Sequence, residues 1–178
     1  MFNTLRAAIA AILLSAAAAH AQSQPYSAFQ DRPIKALSAD DIAGLRAGRG
    51  MAMALPAELN RYPGPTHVLD HESELALTPA QRRALARQIE TMRAAATALG
   101  ERIIAGESLL DALFRSGAAD AATIDRLTTD VATLYGQLRA VHLRTHLETR
   151  ATLTEPQLAK YQALRGYDAT GLKPEHKH

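Results

Sequence analysis

Two long stretches of apolar residues at three-four spacing set what this chain can fold into. The first runs from Leu85 to Leu113, the second from Ile124 to Val141, and the segment RSGAAD around Gly117 separates them. Apolar residues that recur every three or four positions lie on one face of an α-helix. Two such helices bury their stripes against each other as an antiparallel hairpin, here turning near residue 117 or 118. We predict an all-α protein without strands, built on a long antiparallel helical hairpin with short flanking helices.

The start of the chain has the pattern of a cleavable secretory signal peptide over residues 1–21. Arg6 precedes an apolar run that extends from Ala7 to Ala19, and a small-x-small triplet ends at Ala21. The run is shorter than the roughly 20 residues that a membrane-spanning helix needs. We therefore expect an exported protein whose mature chain has no transmembrane segment.

The rest of the chain is long enough for one domain. Residues 22–50 are polar and proline-containing, and predict a flexible lead-in with a possible short helix capped by Ser38. Residues 51–167 form the predicted helical domain, and residues 168–178 a disordered tail. Proline and glycine cut the segment before Thr78 into pieces, one of which predicts a helix of two to three turns from Pro65 that carries His67 and His71. Gly100 and Gly106 are expected weak points of the first long helix.

Composition excludes several classes of function. Twenty Lys and Arg residues are interspersed with 18 Asp and Glu residues, so nothing suggests a nucleic-acid footprint. Cysteine is absent, and stability must come from packing, self-association or a bound ion. No nucleophile elbow, phosphate loop, dinucleotide fingerprint or His-Glu-x-x-His run is present, so we do not expect an enzyme.

A pentapeptide recurs at the start of two helical patterns, as LTPAQ at 77–81 and LTEPQ at 153–157. A threonine at the N-cap can accept a hydrogen bond from the third helical N–H, and a glutamine at that third position can reach back to the threonine N–H. Each such capping box stabilises a helix by roughly 1 kcal/mol. The predicted capping residues are Thr78, Gln81, Thr154 and Gln157.

With its duplicated L-T-x-x-Q motif, signal peptide and helix layout, the chain resembles the Spy/CpxP family of periplasmic proteins from about residue 50 to 167. The stretch GMAMALPAELNRYPGPTHVLDHESELALTPAQ is similar to the metal-resistance branch, which includes CnrX-like periplasmic metal sensors. The resemblance implies a periplasmic helical hairpin, a cradle-shaped homodimer and no enzymatic activity.

Histidines form two pairs at helical spacing, His67 with His71 and His142 with His146. A spacing of four places both imidazoles of a pair on one helix face, within reach of one ion. If the hairpin turns near residue 117 or 118, two residues at the same height on the two helices have numbers that sum to about 235. Glu90 is then expected beside His146. Four imidazoles and a carboxylate suit a divalent zinc, nickel, cobalt or copper ion. The alternative is that these histidines are partly buried and hydrogen-bonded within the hairpin.

CnrX-like sensors are similar in their His-x3-His helix, their glutamate on the first long helix and their histidine on the second. They place a methionine one turn after that histidine, where this chain has Arg150. A guanidinium repels a metal, so His142 would have to supply the missing ligand. The predicted metal ligands are His67, His71, Glu90, His142 and His146.

Three functions compete at this stage. The first is an ATP-independent chaperone-like or envelope-stress role, in which shallow apolar surface on the hairpin or its dimer binds unfolded client proteins. The second is a heavy-metal sensor or resistance protein that uses the histidine pairs, and the third is a partner of a membrane-bound signalling protein. Met51 and Met53 are either soft copper(I) ligands or packing residues. His176 and His178 in the tail are interpreted as solvated.

Overall fold

A computed structural model describes residues 26–167, so the predicted signal peptide and the predicted tail lie outside the described residues. The chain divides into two units, residues 1–35 and 36–178. In the first unit a 3-10 helix spans Ser27–Phe29, and the guanidinium of Arg32 lies 4.2 Å from the ring centre of Phe29. The site described below belongs to the second unit.

The second unit is helical throughout its described part. Two long helices pack against each other as the predicted hairpin, and the remaining helices are short. The all-α prediction is confirmed, with no strand between residues 26 and 167. None of the helices in that range is long and apolar enough to span a membrane. The helices are α1 Ala39–Arg46, α2 Leu55–Glu58, α3 Pro65–Asp70, α4 Pro79–Arg115, α5 Ala121–Thr152 and α6 Glu155–Arg165.

The turn of the hairpin lies where the sequence predicted it. Helix α4 ends at Ser116, Gly117 adopts a φ of 71°, and Asp120 caps α5 by accepting a hydrogen bond from the Thr123 N–H. A left-handed φ suits glycine because it has no Cβ. This hydrogen bond lowers the pKa of the Asp120 carboxyl. We call residues 109–127 the hairpin tip, and the opposite end, where α4 begins and α5 ends, the open end.

The two interior glycines of α4, which are the expected weak points, are points of close contact. A Cβ on Gly100 would lie 2.3 Å from the carbonyl oxygen of Leu45 in α1. A Cβ on Gly106 would lie 2.6 Å from Cγ2 of Val131 in α5. Helix α4 runs unbroken through both positions because the missing side chains let α1 and α5 approach its backbone.

The short helices pack beside the hairpin. Helix α1 begins at Ser38, which forms a capping box with Asp41, so the predicted short helix is present. It packs on α4, while α2 packs on α5 and α3 contacts both long helices. The main apolar cluster lies at the open end and consists of Val68, Leu75, Leu77, Leu85, Leu153, Leu158 and Tyr161.

Candidate functional site

The duplicated motifs form the two predicted capping boxes and also bind each other. Thr78 caps α4 with Gln81 as its partner, and Thr154 caps α6 with Gln157. The Gln81 amide nitrogen donates to Oε1 of Gln157 at 2.8 Å, and the Gln157 amide nitrogen donates to Oε1 of Gln81 at 3.1 Å. The reciprocal pair ties together the first turns of two helices that are far apart in sequence.

The second amide N–H of each glutamine donates to a nearby backbone carbonyl. The amide nitrogen of Gln81 also donates to the carbonyl of Thr152, and that of Gln157 to the carbonyl of Leu75. A partly buried amide is stable only when its donors and acceptors find partners, and here both glutamines satisfy both N–H groups. The motif therefore joins the end of α5 and the turn before α4 to the two helix starts.

A buried carboxylate, that of Glu58 in α2, is the polar centre of the open end. Its side chain is 8% exposed, and it accepts hydrogen bonds from the Tyr161 hydroxyl at 2.5 Å and from the Gly64 N–H at 2.9 Å. The guanidinium Nε of Arg165 lies 3.8 Å away. Burial together with the Glu58 hydrogen bond raises the pKa of Tyr161, which keeps its hydroxyl a donor. Glu58 thus links α2 to α6.

His146 lies between this carboxylate and an open pocket. Its Nδ1 is 2.7 Å from the carbonyl oxygen of Tyr62 and 3.7 Å from Oε2 of Glu58. A carbonyl oxygen can only accept, so Nδ1 carries a proton. In the neutral tautomer with that proton, the lone pair is on Nε2. A Cβ at position 64 would lie 3.1 Å from this nitrogen, so Gly64 leaves the space beside Nε2 open.

His142, one turn earlier on α5, is 3% exposed. Its Nε2 is buried without a hydrogen-bond partner. Burial lowers the pKa of His142, and the neighbouring His146 lowers it further. The ring is therefore held neutral at pH 7, beside the backbone of Gly50.

The first histidine pair does not share a helix face, contrary to the prediction. Helix α3 has only six residues and no side-chain cap, and His71 is the residue that ends it. His67 lines the same pocket as His146, with its Nδ1 3.4 Å from Oδ2 of Asp70. His71 instead packs edge-on against the ring of Tyr161 at 6.5 Å, and its Nδ1 is buried without a hydrogen-bond partner.

The pocket between α2, α3 and α5 has a volume of about 280 Å³. Its walls combine two imidazoles and a carboxylate with the apolar loop that precedes α2. Between residues 26 and 167, no group of three or more His, Asp or Glu side chains is arranged to hold a metal ion. The metal role of the five predicted ligands stays a prediction. The lining residues are Gly50, Met51, Ala52, Ala54, Leu55, Glu58, His67 and His146.

The one carboxylate of the predicted metal site, Glu90, lies elsewhere. Glu90 is exposed on α4, and the carboxylate beside His146 belongs to Glu58. From α4, it is Gln88 that faces α5, where it accepts from the Thr149 hydroxyl and donates to that of Thr152. The Gln88–Thr149 and Gly106–Val131 contacts lie close to the predicted register, and Glu90 is kept from the site because it lies on an exposed face of α4.

Arg150, at the position where the sensors carry a methionine, has a structural role. Its guanidinium donates to the Arg61 carbonyl at 2.9 Å and to the Glu155 carboxylate at 3.1 Å, and lies 5.1 Å from the ring centre of Tyr62. These contacts hold the loop before α3 against the end of α5. Arg150 thereby supports the same Tyr62 whose carbonyl fixes His146.

The hairpin tip presents a second, apolar feature. Leu109 and Leu113 of α4 and Leu127 of α5 line an open pocket of about 480 Å³. Leu109 is 57% exposed and Phe114 is 61% exposed. Ion pairs between Asp111 and Arg115 and between Arg126 and Asp130 flank this surface. We call Leu109, Leu113, Phe114 and Leu127 the tip surface.

The sequence interpretation missed the residues that organise the open end. Glu58 sits in LPAELNRY, a proline-bounded stretch without periodicity, and nothing local marks it as buried. Its partner Tyr161 is more than a hundred positions away. One usable signal was the aromatic hydroxyl within the apolar stripe of α6, because a buried tyrosine requires an acceptor.

Comparison with known protein families, curated proteins and solved structures yields no match to this chain.

Proposed function

We propose that this chain is an exported, ATP-independent chaperone-like protein that binds unfolded segments of other proteins at the tip surface. The observation that carries the proposal is the exposure of Leu109, which lines an open pocket, and of Phe114, which follows the lining residue Leu113 in the chain. Among the large apolar residues of the described second unit, Phe114 is the most exposed. An apolar patch with a charged rim is typical of a surface that binds protein.

The chemistry of the tip surface fits weak and unselective binding. The pocket walls are mainly aliphatic, with Ser116, Thr123 and Arg126 among the lining residues, so they accept many apolar side chains. The flanking Arg126–Asp130 pair is exposed, and such a surface pair contributes little energy and keeps the patch soluble. Release then needs no energy source, since a shallow site holds each segment only briefly.

An aggregation assay tests the proposal. Purified mature protein in several-fold molar excess should suppress light scattering by a chemically denatured client. The double variant Leu109→Gln with Phe114→Gln should lose more than half of this suppression at unchanged helix content. The matched control Leu147→Gln with Leu164→Gln removes two exposed leucines near the open end and should retain it. Absence of suppression by the unmodified protein, or equal loss in both variants, would refute the proposal.

The resemblance to Spy/CpxP proteins supplies the rest of this proposal: periplasmic location, an envelope-stress or metal-resistance setting, a cradle-like homodimer and no catalytic activity. Self-association would place two tip surfaces in one particle and strengthen binding through avidity. Sedimentation at several concentrations tests the dimer. A membrane-bound signalling partner is a further proposed client of the same surface.

A second candidate function, metal binding at the open end, is favoured by the anchored imidazoles of His67 and His146. In each ring Nδ1 faces an oxygen that fixes it, which is the usual support of a metal-binding histidine. Calorimetric titration with Zn²⁺, Ni²⁺, Co²⁺ and Cu²⁺ tests this candidate. One ion per subunit at micromolar affinity, lost in His67→Asn with His146→Asn, would support it, and absence of stoichiometric binding would refute it.

A further inference from the structure

A thioether in the loop before α2 packs on α1 at a point where that helix has no side chain. The thioether belongs to Met51, and its Sδ faces Gly44 of α1. A Cβ at position 44 would lie 2.8 Å from this Sδ and 3.3 Å from Cγ of the same side chain. Gly44 is buried, so the end of the Met51 side chain covers this part of the α1 backbone.

The backbone that carries this sulfur is strained. Met51 has a φ of 44° and Ala52 a φ of 62°, and a residue with a Cβ is disfavoured in this left-handed region. The Arg49 N–H donates to the Gly44 carbonyl and ties the start of the loop to α1. A strained conformation persists only while its surroundings hold it, and the packing of Met51 on Gly44 is one of the contacts that do so.

A small oxidant in solution can reach Met51. This residue is 37% exposed, whereas Met53 and Met92 are half-buried. Met51 also lines the open pocket of about 280 Å³, which is several times the volume of about 30 Å³ that one water molecule takes up in the liquid. A peroxide molecule therefore fits beside it. Between residues 26 and 167, Met51 is the most exposed methionine.

Oxidation of the thioether changes the chemistry of its contact with Gly44. The sulfur lone pair attacks one oxygen of hydrogen peroxide, the O–O bond breaks, and the second oxygen leaves as water with both protons. The sulfur is thereby oxidised by two electrons to a sulfoxide, and the peroxide is reduced. A sulfoxide oxygen is a polar acceptor that costs free energy when it is buried without a partner. Packing against a buried apolar backbone position is therefore weaker for the sulfoxide than for the thioether.

We propose that Met51 is a site of reversible oxidation, at which a peroxide releases the loop of residues 49–54 from α1. Without the thioether contact, Met51 and Ala52 can leave the left-handed region. The loop forms one wall of the open-end pocket, and its Gly50 lies beside the ring of His142, so its release opens the pocket. Methionine sulfoxide reductases, one for each epimer, restore the thioether. This inference is independent of both functions proposed above.

Peptide mass spectrometry of the full mature chain, treated with hydrogen peroxide, tests the modification. We expect Met51 to be oxidised at least about threefold faster than Met53 and Met92, because it is more exposed. After oxidation, hydrogen–deuterium exchange across residues 49–54 should become at least about fivefold faster, and treatment with both reductases should reverse this. In Met51→Leu, which keeps the volume and apolar character of methionine, peroxide should leave this exchange unchanged. The matched control Met53→Leu should respond like the parent.

The variant Gly44→Ala separates the effect of the contact from that of the added oxygen. Its methyl group would lie 2.8 Å from Sδ and displace the thioether from α1, so the loop should exchange fast before peroxide is added and change little afterwards. Oxidation of Met51 no faster than that of Met53 or Met92, unchanged loop exchange after Met51 is oxidised, or slow exchange in folded Gly44→Ala would each overturn the proposal. A circular dichroism melting curve checks the fold of this variant. If it does not fold, the comparison of Met51→Leu with Met53→Leu decides alone.

Discussion

The open end and the hairpin tip are built from the same two helices, yet different forces hold them. At the open end, side chains from distant parts of the chain bond to each other, as in the Gln81–Gln157 pair and the Glu58–Tyr161 contact. At the tip the bonds are local, as between Ser116 and the Leu113 carbonyl. The apolar residues there meet across the hairpin around an open pocket.

This difference means that the open end is held in one arrangement, whereas the tip can contact molecules of many shapes. The Gln81–Gln157 and Glu58–Tyr161 hydrogen bonds favour one arrangement, because breaking them leaves a buried donor or acceptor without its partner. A shallow apolar patch imposes no such condition and can contact many shapes. The open end is thus held by hydrogen bonds between distant residues, whereas the tip exposes apolar side chains around an open pocket.

The largest expected effect comes from breaking the polar centre of the open end. Glu58→Gln leaves one oxygen where two accept now, so the Tyr161 hydroxyl or the Gly64 N–H loses its partner. We expect the free energy of unfolding to fall by about 2 kcal/mol in urea denaturation. The control Glu107→Gln lies toward the tip, where burial raises the pKa of the carboxyl. It should change stability by less than about 0.5 kcal/mol; equal effects of the two variants would contradict the comparison.

A smaller effect is expected at the glutamine pair. Gln81→Ala and Gln157→Ala should each lower the free energy of unfolding by about 1–2 kcal/mol, because each removes a capping box and the shared bonds. The double variant should lose less than the sum of the single losses, by about 1 kcal/mol, since either change alone already breaks the pair. Strict additivity in the double-mutant cycle would show that the two motifs act separately.

The smallest expected effect is a pH dependence that originates at His142. Burial lowers the pKa of this histidine in the folded state, so the unfolded chain takes up the proton more readily. Stability should therefore fall as the pH drops below about 6.5 and be fully present above it. In His142→Gln this part of the fall should disappear. Parallel stability curves for parent and variant between pH 7 and 5 would refute this assignment.

How far the sequence predicts this molecule depends on whether an interaction is local or distant. The long helices, the turn at Gly117 and both capping boxes follow from spacing and cap chemistry within a few residues, and each is present. The length of α3 was overestimated because Pro65 signals a helix start while nothing local signals its early end. The carboxylate beside His146 could not be predicted, since only the folded chain brings Glu58 there.

The glycines of α4 also show that local sequence does not predict contacts between distant residues. Propensity alone marks Gly100 as a weak point, but the approach of Leu45 makes it a required contact. Helix propensity is a local quantity, whereas close packing depends on a partner that the local sequence does not contain. The local sequence therefore predicts that each pentapeptide caps a helix. It does not predict that the two pentapeptides bond to each other.

The central claim, that the tip surface binds unfolded polypeptide while the open end stays fixed, is tested most directly by hydrogen–deuterium exchange. The full mature chain would be labelled alone and with an excess of a permanently unfolded client, and exchange read out peptide by peptide. We predict slower exchange across residues 109–127 in the presence of client, with no change across residues 146–165. Protection confined to residues 146–165, or no protection at the tip under conditions where the client is bound, would contradict the account.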